Sequence, residues 1–337
     1  MTLAVVLGFE GLELTRAEIE LFRVADPWGF ILFARNIDTP DQVRALTHSL
    51  RATVGRPEAP VFVDQEGGRV QRLKPPHWPA YPAGAAYRRA AASLSDACDL
   101  ARLGGRLIAH DLVRLGVSVD CAPVADTPAP EGHQVIGDRA FSTDPAEVAA
   151  IARAQAEGLL EGGVLPVVKH IPGHGRAAAD SHLALPVVTA SRRELDASDF
   201  APFQALSDLP MAMTAHVVFS ALDPEAPATT SPRVISDIIR GQIGFEGLLI
   251  SDDLSMEALS GTLWARAAAA RAAGCDMLLH CNGQMEEMRQ VIAGAAPLEG
   301  ASARRAAAAL GRRRAPSPFD VDAARARLTD ALGGGRG

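Results

Sequence analysis

The sequence predicts a single (β/α)8 barrel of the TIM-barrel type with a helical extension after the last unit. Three observations carry this expectation. Short apolar, β-rich runs recur along the chain, helix-start signals follow several of them, and no change in composition divides the 337 residues into two parts. One large α/β barrel suits that length.

The β-rich runs are residues 3–7, 29–33, 61–64, 117–122, 165–170, 211–216, 248–252 and 277–280. Several are nearly continuous in apolar residues, as in a parallel sheet covered on both faces. Helix starts are read at Thr15-Arg-Ala-Glu18, Thr39-Pro-Asp-Gln42, Asp144-Pro-Ala-Glu147 and Ser191-Arg-Arg-Glu194. There a side-chain oxygen accepts from the otherwise unpaired N–H groups of the first turn. Pro40 and Pro145 take the first helical position, where a missing N–H costs nothing. Gly116, Gly163 and Gly274 fall between a helix and the next run, where a left-handed cap is useful. An open doubly wound sheet is the alternative, but no Gly-x-Gly-x-x-Gly follows the first run. A last helix over residues 320–332 is expected to pack outside the barrel. Residues 1–332 then form one domain, and 333–337 a disordered tail.

With 48% hydrophobic and 22% charged residues, the composition is that of an ordinary globular protein. A net charge of −7 implies no general attraction to nucleic acid or anionic lipid. The basic cluster Arg304, Arg305 and Arg312 to Arg314 reads as a solvated helix face, not a nucleic-acid site. Cys98, Cys121, Cys275 and Cys281 are too few for a disulfide scaffold and lack paired metal spacing. Cys121 and Cys275 lie in apolar runs and read as buried small hydrophobes. The N-terminus lacks a basic segment and reaches Glu10 too soon for a signal peptide, and no run has the length of a membrane span. A cytoplasmic protein without a membrane partner is expected. Of 33 Lys plus Arg, only Lys74 and Lys169 are lysine, a hint that ammonium chemistry is needed where lysine is written.

In barrels of this kind the active site lies at the C-terminal ends of the strands. Those ends hold Asp64, Asp126, Lys169, His170, His216, Asp252, Asp253, His280 and Asn282. Each alone reads equally well as a buried polar group with satisfied partners; their presence behind nearly every run points to a site. In residues 169–182, Pro172, Gly173 and Gly175 force a sharp turn, and His170, His174, Asp180 and His182 follow closely. Three readings fit. The four residues ligate a metal. Or Lys169 and His170 donate hydrogen bonds to a polyol while Asp180 tunes His182 for proton transfer. Or the loop is held by its own hydrogen bonds. After the seventh run, alternation leaves open whether Asp252 or Asp253 points inward.

The segments Gly29-Phe-Ile-Leu-Phe-Ala-Arg-Asn36, Asp64-Gln-Glu-Gly-Gly-Arg-Val-Gln-Arg72, Asp120-Cys-Ala-Pro-Val124, Ile136-Gly-Asp-Arg-Ala-Phe-Ser142, Lys169-His-Ile-Pro-Gly-His-Gly175 with Asp180-Ser-His182, and Ser251-Asp-Asp-Leu-Ser-Met256 occur in this order. In them the chain resembles the β-N-acetylhexosaminidases of glycoside hydrolase family 3, the group acting in peptidoglycan recycling. The resemblance implies a retaining β-N-acetylglucosaminidase that cleaves the β-1,4 bond of GlcNAc-anhydroMurNAc fragments, with or without their peptide. By the same resemblance Asp252 is the nucleophile, His182 the general acid/base and Asp180 its partner. Asp64, Arg72, Arg139, Lys169 and His170 grip the hydroxyls and acetamido group of the sugar. The partner is a sugar or muropeptide, and neither cofactor nor metal belongs to this reading. Ile171 stands where the family usually has Phe, and Cys121 where a bulkier apolar residue is common; both read as packing variation. The lack of a second, C-terminal domain matches the short members of Gram-negative bacteria. Two other classes remain: a metal-dependent barrel hydrolase, against which the first strand lacks a His-x-His pair, and a non-catalytic sugar-binding protein.

Overall fold

Eight parallel strands close on themselves in the computed structural model, which describes residues 1–129, 135–177 and 185–333. They are β1 (Leu3–Leu7), β2 (Pro27–Leu32), β3 (Val61–Val63), β4 (Val119–Asp120), β5 (Leu165–Ile171), β6 (Met211–Thr214), β7 (Leu248–Asp253) and β8 (Met277–His280). The ring closes where β8 pairs with β1, Val5 opposite Leu278 and Leu7 opposite His280. The protein is a (β/α)8 barrel. β4 is shorter than its apolar run because its register against β5 slips beyond Asp120: the Leu165 N–H donates to the Ser118 carbonyl, but the Val167 N–H reaches the Ala122 carbonyl at 3.0 Å.

Each strand is followed by helix, from Arg16–Ala25 after β1 and Pro40–Val54 after β2 to Leu263–Ala273 after β7 and Met285–Gly294 after β8. The expected starts hold. Thr15 Oγ1 accepts from the Glu18 N–H at 3.2 Å while a Glu18 carboxylate oxygen accepts from the Thr15 N–H at 2.7 Å. Thr39, Asp144 and Ser191 cap their helices in the same sense. Gly274 ends Leu263–Ala273 at φ 115°, a left-handed conformation that would strain any side chain.

Strand alternation divides the apolar residues into two layers. Val5, Leu7, Phe30, Val61, Val63, Val168 and Leu249 face outward onto Phe22, Leu46, Leu107 and other helical side chains. Val6, Ile31, Phe62, Val119, Cys121, Val167, Met213, Ile250 and Leu279 fill the barrel, which is therefore a packed core and not a pore.

The C-terminal extension plugs the barrel from below. In Gly300–Gly311, Ala306 and Ala309 join the interior cluster, and Arg305 donates to Asp276 Oδ1 at 3.0 Å. Arg312 and Arg313 donate to the carbonyls of Asp208 and Gly163. The basic cluster is thus more than a solvated face, because three of its guanidiniums tie the extension to the barrel. Val321–Gly333 lies against Leu94–Val113, with Arg325 donating to Asp111 at 2.8 Å. Residues 334–337 lie outside the described residues. Among the described residues no helix is long and apolar enough to cross a membrane.

Candidate active site

At the C-terminal end of the barrel the inward faces of the strands change from apolar to charged. Two residues above Phe62 stands Asp64, two above Val167 stands Lys169, and two above Ile250 stands Asp252. Together they line a cavity of about 270 Å³, with Phe33, Arg72, Arg139, His170 and His174 also in its wall.

Charges of alternating sign run along one side. Asp64 accepts from Arg72 at 2.9 Å and from the Lys169 ammonium at 2.9 Å. The same ammonium lies 2.6 Å from Glu66, whose two oxygens each accept from Arg139 at 2.8 Å. Three cations and two carboxylates leave one net positive charge. Burial alone would raise the carboxyl pKa of Asp64, but Lys169 and Arg72 outweigh it and hold that carboxyl well below the usual range. Burial likewise opposes ionisation of Glu66, and Arg139 and Lys169 draw it down to about 2. Lys169 is only 2% exposed; burial disfavours its charge, and Asp64 and Glu66 more than restore it. A buried charge chain of this kind gives little net stability, because desolvation consumes most of the attraction. What it can do is present fixed charge to the cavity it lines.

Neighbouring elements fix the chain. Gln65, after β3, gives its N–H to Asp120 Oδ1 at 2.9 Å, and its amide oxygen accepts from the N–H groups of Arg72 and Leu73 at 3.0 Å. These bonds pin the short hairpin that carries Glu66. The guanidiniums of Arg35 and Arg72 lie over the Phe33 ring at 5.1 and 4.9 Å.

Beyond β5, Asp126 organises the turn. Its Oδ2 is 2.7 Å from His170 Nδ1, and its Oδ1 accepts from the N–H groups of His170 and His174 at 3.2 and 2.7 Å. With Nδ1 committed to Asp126, the His170 ring is held in the cavity wall. Burial pushes the pKa of His174 down to about 4, so its ring is neutral at neutral pH. Gly175 is required by close approach, since a Cβ there would sit 1.9 Å from the carbonyl oxygen of Thr127. Asp180 and His182 lie outside the described residues. Among the described residues no group of three or more His, Cys, Asp or Glu side chains is gathered as a metal site.

The two aspartates that end β7 differ in what they touch. Asp253 accepts from the N–H groups of Ser255 and Cys281 at 3.0 and 3.1 Å and from the Ser255 hydroxyl at 2.6 Å. Asp252 Oδ1 accepts from the Asp253 N–H at 2.8 Å. Burial would raise its pKa. The imidazoles of His216 and His170 when charged, then the Asp253 N–H and Lys169, outweigh that and hold the carboxyl below its usual value.

Of the residues expected in the site, Asp64, Arg72, Arg139, Lys169, His170 and Asp252 meet around one cavity. Glu66 had no role assigned from sequence, although it lies within the Asp64-to-Arg72 segment. Its two-residue spacing from Asp64 was the available signal. Arg139, expected on the sugar, has its Nε and one terminal nitrogen taken by Glu66.

The model of the glycosyl hydrolase family 3 N-terminal domain matches residues 15–309. A β-hexosaminidase of Alkalilimnicola ehrlichii is 43% identical over 285 residues, covering 82% of this chain and 80% of that protein. The NagZ protein of Neisseria gonorrhoeae, solved in complex with N-trifluoroacetyl-D-glucosamine, superimposes with a TM-score of 0.84 at 32% identity, covering 98% of this chain and 96% of that one. A family 3 β-N-acetylglucosaminidase from Paenibacillus sp. str. FPU-7 gives a TM-score of 0.80 at 30% identity; 99% of this chain is covered, and it spans 62% of that longer protein.

Proposed function

The chain belongs to glycosyl hydrolase family 3 and is a glycoside hydrolase, and from that premise we propose that it is a retaining β-N-acetylglucosaminidase. Its substrates are GlcNAc-anhydroMurNAc fragments of peptidoglycan, with or without their peptide. It releases N-acetylglucosamine from them in the cytoplasm during cell-wall recycling. The names of its relatives support the sugar, and the cavity of about 270 Å³ supports one enclosed ring.

The observation that carries the mechanism is the contrast between Asp252 and Asp253. Asp253 is bound by three donors, whereas Asp252 keeps its charge in a ligand-sized cavity with one oxygen held and the other available. In this reading Asp252 attacks the anomeric carbon, forming a C–O bond as the glycosidic bond breaks. His182, oriented by Asp180, gives its proton to the departing oxygen. Water then attacks the glycosyl–Asp252 ester while His182 takes back a proton, which frees the sugar and restores both side chains. Lys169, Asp64, Arg72, Arg139 and His170 hold the hydroxyls and the acetamido group.

Turnover of an aryl β-N-acetylglucosaminide is the first test, and its absence in a protein that binds the sugar would leave a binding function. A 5-fluoro glycosyl inhibitor should label the peptide containing Asp252; a label on Asp253 moves the nucleophile by one residue. Asp252→Ala should lose about 10⁴-fold or more in kcat, the scale on which loss of a covalent nucleophile is felt. Asp253→Ala should be milder.

A further inference from the structure

The parallel ladder shifts at the end of β7, next to Asp252. Register with β8 changes between Ile250 and Asp253, and the N–H groups of Asp252 and Asp253 go to side-chain oxygens. The Asp252 N–H donates to Thr214 Oγ1 at 3.3 Å. Thr214 Oγ1 lies 2.8 Å from Thr229 Oγ1, and Thr229 Oγ1 lies 2.7 Å from His216 Nδ1. His216 Nε2 lies 2.9 Å from the Asp253 carbonyl oxygen. Thr214, His216 and Thr229 are each 0% exposed. The contacts form a ring that leaves β7 at the Asp252 N–H and returns at the Asp253 carbonyl.

Proton counting gives the ring a direction. A carbonyl oxygen only accepts, so Nε2 of His216 carries hydrogen. In a neutral ring Nδ1 then accepts, and its donor is the Thr229 hydroxyl. Thr229 has one proton and has used it, so it accepts from Thr214. Thr214 in turn accepts from the Asp252 N–H. The rival acceptor for Thr229, the Ala215 carbonyl, is farther at 3.1 Å. The Cys275 thiol donates to the Thr229 carbonyl at 3.5 Å and holds that turn from behind. Burial lowers the pKa of His216, which favours the neutral ring that this direction requires.

We propose that Thr214, Thr229 and His216 are positioning residues that clamp the Asp252–Asp253 peptide and so aim the Asp252 carboxylate at the anomeric carbon. The proposal rests on the reading of Asp252 as nucleophile. It assigns a role to His216, which the sequence marked only as a polar strand end, and to two threonines that it did not mark.

The test is Thr229→Val, which keeps the side-chain shape and removes the hydroxyl. Misplacing a reacting group by about 1 Å costs about 10²-fold. We expect kcat to fall about 10- to 100-fold with KM changed by less than about twofold, since the sugar-gripping side chains stand on other strands. Labelling by the 5-fluoro inhibitor should slow in proportion, and Thr229→Ser should recover most of both rates. Nitrogen-15 NMR of the wild-type protein should show His216 as the Nε2–H tautomer. A folded Thr229→Val with wild-type kcat and labelling rate overturns the proposal, as does a Thr229→Ser as impaired as the valine variant or an Nδ1–H tautomer. If Thr229→Val does not fold, the serine variant and the tautomer still decide. A wild-type label away from Asp252 defeats the nucleophile reading instead. A label on Asp252 together with an unimpaired Thr229→Val defeats only the clamp.

Discussion

The middle of the barrel and its C-terminal rim are built by the same strands on the same inward face, two residues apart. At mid-height Phe62, Val167 and Ile250 pack against one another's neighbours with no polar atom to satisfy. One step up, Asp64, Lys169 and Asp252 place charges around a cavity. The lower layer stabilises through area removed from water, about 25 cal/mol per Å² of apolar surface. The upper layer gains little, because desolvation offsets the attraction among its charges. The same alternation thus yields stability below and a reactive surface above, and the two layers should respond differently to substitution.

The largest expected effect separates chemistry from packing altogether. His182→Ala should lower turnover of a natural disaccharide about 10²–10⁴-fold more than that of a nitrophenyl glycoside, because an alkoxide needs a proton to leave and an activated phenolate does not. With the activated substrate, hydrolysis of the intermediate becomes limiting, so single-turnover kinetics should show a burst and added azide should restore rate. Equal losses on both substrates would remove His182 as acid/base and reopen a metal site on this loop.

In the lower layer, Phe62→Ala should cost about 3–5 kcal/mol of stability, as for other buried aromatic truncations. Phe62 is 1% exposed and meets Trp28 edge-on with ring centroids 5.9 Å apart. Denaturant unfolding reads the loss, while kcat in the folded variant should stay near wild type. A kcat that falls with stability would show that the two layers are one mechanical unit.

In the upper layer, Lys169→Arg should leave the fold in place and lower kcat/KM by about 1–3 kcal/mol, the cost of polar groups left imperfectly paired. A planar guanidinium does not reproduce a compact ammonium held between Asp64 and Glu66. Wild-type kinetics in this variant would place Lys169 outside the ligand contacts.

A pH-dependent effect concerns Asp120, between the layers. Its Oδ2 has no hydrogen-bond partner among the described residues, and burial pushes its pKa up to about 8 against the lowering by the Gln65 N–H and Lys169. The unfolded chain releases this proton near 3.8 and the folded one near 8, so stability falls as pH rises across that window and then levels. Asp120→Asn has no such proton, so its Tm should gain on wild type between pH 4 and pH 8, by about 2 °C or more. A constant gap would mean that Asp120 is ionised in the folded protein.

Much of this was legible because local chemistry dictated it. Thr15 with Glu18, and Asp144 with Pro145, announce helix starts by their own side chains, and the apolar runs announce strands. Asp64, Lys169 and Asp252 were readable as strand-end polar groups. Asp126 was readable as present but not as the holder of His170, since that bond joins residues 44 apart. Arg312 and Arg313 looked like solvated cations because nothing nearby in sequence shows the carbonyls of Asp208 and Gly163.

Eight strand–helix units, their caps, and the end of the barrel that carries polar side chains were legible in the amino acids, because those follow from periodicity of 2 and 3.6 and from local hydrogen bonds. Only the folded chain set the two adjacent aspartates apart, giving Asp253 to Ser255 and Cys281 and leaving Asp252 with the Asp253 N–H. It also decided that Lys169 bridges Asp64 to Glu66, and that two buried threonines and His216 close a ring at the end of β7. The reason is physical: each choice depends on contacts between strands far apart in the chain, and a one-residue uncertainty at a strand end reverses every side chain beyond it.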